Sequence, residues 1–186
     1  MMAFYALGAA ASPAPLRIDG LVTAVFSPFD ARGGLNLSVV PLQASYLSAT
    51  GVDWVFVGGT TGESYRLRLY VTTLVDHTFI GCTCIKLSIA LCPGESLSLT
   101  MTERKDLFSA WLKTNSSVIA HCGAEALGDA RELARYAASS GAKAIAAMPP
   151  TFFKPANAKA LALTIASICD AAPGEFTLSS THTGVR

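Results

Sequence analysis

The sequence predicts an α/β protein built on a parallel sheet, and three observations carry that reading. Short apolar runs alternate with longer runs of helical periodicity, the pattern of repeated βα units. The apolar runs are hydrophobic throughout, as strands covered on both faces are, and the whole chain is 51% hydrophobic and 15% charged with a mean hydropathy of +0.43. The second run, Trp54-Val55-Phe56-Val57, passes straight into Gly58-Gly59-Thr60-Thr61-Gly62-Glu63, a glycine-rich turn where a βα loop belongs.

The elements follow in order. Residues 21–26 form a first strand, ended by Pro28 and a turn at Asp30-Ala31-Arg32-Gly33-Gly34. Asn36 or Ser38 is placed to cap a helix running to about Ala49, with Pro41 tolerated in its first turn and Gly51 ending it. Residues 53–57 are the second strand. After the glycine-rich turn, Thr100-Met101-Thr102-Glu103 reads as a capping box, and Leu107, Phe108, Trp111 and Leu112 make the apolar stripe of its helix. Residues 117–123 form a third strand. Residues 127–139 form an amphipathic helix with Ala130, Leu133, Ala134 and Ala137 on one face and Gly141 as its stop. Residues 144–148 form a fourth strand, broken by Pro149-Pro150. Asn157 caps a last helix carrying Leu161, Ile165 and Ile168, ended by Pro173-Gly174.

The turn after the second strand is the candidate site. Two glycines let the backbone turn sharply and approach a ligand closely. Two threonines then offer hydroxyls and N–H groups together, an anion-binding nest suited to a carboxylate or a phosphate. No Lys follows Gly62, so it is not a P-loop. On pattern alone it also fits a glycine-rich turn with no ligand.

Composition excludes several function classes. At 186 residues the chain is long enough for a real core, long for one small domain and short for two. A net charge of +1 with no run of Lys and Arg argues against a nucleic-acid partner. Residues 69–92 are apolar on average, but Asp76, His77 and Lys86 interrupt them, so no membrane span is expected. The apolar patch at residues 4–11 lacks the basic flank of a signal peptide. Cys82, Cys84, Cys92, Cys122 and Cys169 have no disulfide-framework spacing and read as reduced thiols of a cytoplasmic protein. His77, Cys82, Cys84 and Cys92 are of zinc-ligand type, but the C-x-C spacing is unlike common structural zinc sites; neither metal nor cofactor is expected.

The spacing of the strands holds one anomaly. The first two start near 20 and 53, the third and fourth near 117 and 143, so the middle interval is about twice its neighbours. Within it Gly-Glu-Ser occurs twice, at Gly62-Glu63-Ser64 and Gly94-Glu95-Ser96, 32 residues apart. Removing one copy with the residues between restores the interval to 32 and joins the turn directly to the capping-box helix. Residues 65–95 therefore read as an insertion directly after the site turn.

With that segment set aside, residues 19–174 resemble the N-acetylneuraminate lyase and dihydrodipicolinate synthase family of class I aldolases. The resemblance rests on Gly20-Leu21-Val22-Thr23-Ala24 with Ser27-Pro28-Phe29-Asp30, on Gly59-Thr60-Thr61-Gly62-Glu63, on His121-Cys122-Gly123-Ala124 and on Pro150-Thr151-Phe152-Phe153-Lys154-Pro155. It implies a (β/α)8 TIM barrel with its site on the C-terminal face, of which this chain carries about the first four βα units: an N-terminal tail at 1–18, the partial barrel at 19–174, and a divergent tail at 175–186. It assigns Gly59, Thr60 and Thr61 to a substrate's carboxylate. It implies a small-molecule substrate, a sialic acid cleaved to N-acetylmannosamine and pyruvate, and a homotetramer. Phe152 and Phe153 stand where the synthase branch places proton-relay tyrosines, which favours the lyase branch, and His121 looks like the animal lyase form. The residue-level alternative for His121 is a core histidine satisfied by backbone.

The departures concern chemistry. The family uses a Lys late on the sixth strand as a Schiff-base nucleophile and a Tyr on the fifth for proton transfer. Here residues 176–186 carry no tyrosine run, the chain stops before a sixth strand, and none of Lys86, Lys105, Lys113, Lys143, Lys154 or Lys159 occupies that place. No catalytic residue is therefore expected in this chain. The alternatives are a non-catalytic family member that binds a 2-oxo acid or associates with full-length chains, or a dihydrodipicolinate synthase-like aldolase. A half barrel is also expected to leave inward-facing Val22, Phe56 and Ile119 without an opposing wall.

Overall fold

The computed structural model describes residues 18, 20–59, 77–79, 82–84, 98–148, 150, 152 and 154–172. Its frame is a four-stranded sheet of β1 (Val22–Ala24), β2 (Trp54–Val57), β5 (Ser117–His121) and β6 (Ala144–Ala146). All three pairings are parallel and the strands lie in chain order, with Phe56 beside both Ala24 and Ile119, and His121 beside Ala146. Each unit adds its strand to the same growing edge, as a (β/α)8 barrel does, and four strands make a partial one. Within the 65–95 segment, β3 (His77–Phe79) and β4 (Cys82–Cys84) form an antiparallel hairpin in a sheet of their own, and β2 pairs directly with β5. Arg66 to Val71, which alternate like a strand in the sequence, lie outside the described residues.

The helices are α1 (Val40–Ala49), α2 (Met101–Leu112), α3 (Leu127–Ser139) and α4 (Ala158–Asp170). α2 starts at the capping box: the Thr100 side chain accepts from the Glu103 N–H, and the Glu103 carboxylate accepts from the Thr100 N–H at 2.8 Å. α4 starts at Asn157, whose side-chain oxygen accepts from the Ala160 N–H at 2.9 Å. α1 departs from expectation. Neither Asn36 nor Ser38 caps it; Asn36 Oδ1 instead accepts from Ser38 Oγ at 2.6 Å, and a 3-10 turn at Leu37–Val39 leads into the helix with Pro41 in its first turn. Proline has no N–H to satisfy there, so the helix start needs less capping.

Two cores result from the strand alternation. Val55, Val57, Val118, Ala120 and Ile145 face the helices, where Leu107, Phe108, Trp111, Leu133 and Ile168 meet them. Phe56, Ile119, Ala144 and Ala146 face the other way. The expectation that this second face lacks a wall is corrected for its centre. Phe56 and Ile119 are 1% and 0% exposed, and Ile18, Val22, Ala24 and Trp54 pack against the cluster. Val22 itself is only half-buried.

Candidate active site

In parallel α/β sheets the functional face lies at the C-terminal ends of the strands, where the connecting loops begin. β2 ends there in Gly58 and Gly59, both buried. Gly58 has φ +75°, a left-handed conformation that costs an L-residue about 1–2 kcal/mol, and a Cβ there would lie 3.3 Å from the Phe108 ring. The glycine thus lets β2 turn out of the sheet while α2 packs beneath it. Gly59 stands at the mouth of the turn; Thr60 and Thr61, the other expected carboxylate ligands, lie outside the described residues.

β5 ends beside this turn in His121-Cys122-Gly123. His121 follows Ile119 by two residues, so its ring falls on the inward face, and it stacks at a tilt on Phe56 with centroids 5.9 Å apart. It is 1% exposed. The backbone alternative is not met: neither Nδ1 nor Nε2 has a hydrogen-bond partner. Burial, reinforced by the nearby Arg104 charge, pushes its pKa down to about 3, against a weak opposing pull from the Gly58 backbone, which does not reach hydrogen-bond geometry. The imidazole is therefore neutral at physiological pH. Gly123 makes room for it, since a Cβ at that position would sit 2.9 Å from His121 Cε1 and Nε2 and 2.8 Å from the Met148 backbone nitrogen.

The residue that sequence reasoning missed is Arg104. It is 3% exposed, and its Nη2 donates to the His121 carbonyl at 2.7 Å. Burial lowers its pKa, opposed by the Cys122 and Asp129 sites. The signal was its position three and four residues before Leu107 and Phe108, on the buried stripe of α2. Cys122 faces the helices, and burial pushes its thiol up to about 12, which makes it unreactive. On the same end of the sheet, Glu125 Oε2 accepts from the Phe152 N–H at 3.2 Å, tying the loop after β5 to the loop after β6. The Phe152 side chain is 80% exposed.

Other candidates lie elsewhere. A groove of about 860 Å³ opens between α1 and α2, lined in part by Ser48, Asp53, Asp106 and Lys113, at the N-terminal end of the strands and away from Gly58. Of the zinc-type residues, His77 pairs with Cys84 in the hairpin register, and Cys92 lies outside the described residues. Among the described residues no group of three or more His, Cys, Asp or Glu is placed to hold a metal, and no helix is long and apolar enough to cross a membrane.

In-order parallel strands, an outer helical layer and a glycine turn at the C-terminal edge define part of a (β/α)8-barrel enzyme fold. Residues 17–79 and 69–170 match the dihydrodipicolinate synthetase family, and the chain belongs to it. It is 37% identical over 162 residues to the N-acetylneuraminate lyase of Danio rerio, covering 84% of this chain and 42% of that protein. Against the N-acetylneuraminate lyase of Homo sapiens the identity is 30% over 162 residues, with 84% and 41% covered. Among solved structures, the Proteus mirabilis N-acetylneuraminate lyase superposes with a TM-score of 0.69 at 27% identity, over 89% of this chain and 47% of that one. The sialic acid aldolase of Aliivibrio salmonicida superposes with a TM-score of 0.70 at 26% identity, over 92% and 48%. The chain spans about half the length of the curated relatives it matches.

Proposed function

We propose that this chain carries the carboxylate-binding part of an N-acetylneuraminate lyase-type aldolase site, with Gly59, Thr60 and Thr61 receiving the carboxylate of a 2-oxo acid such as pyruvate. The observation that carries the reading is the buried Gly58-Gly59 turn at the C-terminal end of β2, in a chain whose curated relatives are N-acetylneuraminate lyases. In the complete reaction a lysine forms a protonated imine with the 2-oxo acid, and that imine draws electrons from the carbon–carbon bond being broken. The turn's part is to fix the carboxylate so that the carbonyl carbon is presented to the amine.

We infer that none of the described lysines is that amine. Lys105 is ion-paired to Glu132 and lies 5.6 Å from the centre of the Tyr136 ring. Lys113 and Lys143 precede β5 and β6 and so stand at the opposite end of the sheet, while Lys154 and Lys159 are exposed. We therefore expect the 186-residue chain to bind pyruvate without forming an imine, and to have no lyase turnover alone. Borohydride reduction in the presence of pyruvate, followed by peptide mass mapping, tests this. Unmodified lysines are expected; a stable pyruvyl adduct on any of them overturns it. The 65–95 segment we read as an insertion bordering this site, a reading supported by the hairpin's separate sheet.

A further inference from the structure

We draw no further inference here: the strongest candidate, the groove of about 860 Å³ between α1 and α2, carries its charges on the solvent-exposed residues Asp53, Asp106 and Lys113, and nothing in the structure shows what occupies it.

Discussion

Gly123 and His121 act as one unit at the residue scale. The Cβ of an alanine at 123 would meet the Met148 backbone nitrogen, which has no rotamer by which to yield, and the His121 ring. Gly123→Ala should therefore cost about 1–3 kcal/mol, read by denaturant unfolding; a loss within error of zero would mean the strand ends move apart freely. His121 also gives the chain a pH signature. Its folded pKa of about 3 lies below the ordinary 6.5, so between those values the unfolded chain takes up a proton that the fold refuses. Stability is full above about pH 6.5 and falls as pH drops toward 3, by up to about 1.4 kcal/mol per unit. The carboxylates of Glu103 and Glu132, both held below the usual 4.5, contribute only at the acid end. Between pH 4.5 and 6.5 the His121→Gln variant should thus show a visibly flatter stability curve than wild type; parallel curves would contradict the buried neutral imidazole.

The helix starts differ at the scale of elements, and so should their sensitivity. α2 begins with reciprocal bonds between Thr100 and Glu103, and it delivers Arg104, Phe108 and Trp111 to the sheet. Thr100→Ala removes the cap and should cost about 0.5–2 kcal/mol by thermal or chemical unfolding. α1 begins with a 3-10 turn and Pro41, and neither Asn36 nor Ser38 caps it. Ser38→Ala should accordingly change stability by only a few tenths of a kcal/mol. Equal effects at the two positions would refute this distinction.

At the scale of the whole molecule, β1 and β6 each have a single strand neighbour among the described residues. An open strand edge displays N–H and C=O groups that favour pairing with another chain. The helices beside those edges add Leu42 and Tyr46 on α1, 71% and 69% exposed, and Leu163 on α4, 60% exposed. We expect the 186-residue chain to unfold cooperatively, given its buried inward cluster, yet to self-associate as concentration rises. Size-exclusion chromatography over a concentration series checks this, and a monomer at every concentration would count against it.

Much of the architecture was legible in the chain because its causes are local. The stripe Ala130, Leu133, Ala134 and Ala137, the capping box at Thr100 and the Asn157 cap all depend on neighbours within a turn of helix, and α3 runs over the expected residues 127–139. Strands 22–24 and 144–146 came out shorter than their apolar runs, since a strand's length is set by its partners and not by its own hydrophobicity. The site divides in the same way. Gly58 and Gly59 announce a sharp turn by composition, because only glycine adopts a φ of +75° without strain. That Arg104 is buried against the carbonyl of a residue 17 positions away, that Gly123 is forbidden a methyl by Met148, and that the nitrogens of His121 have no partner depend on contacts between distant segments, which only the packed tertiary structure creates.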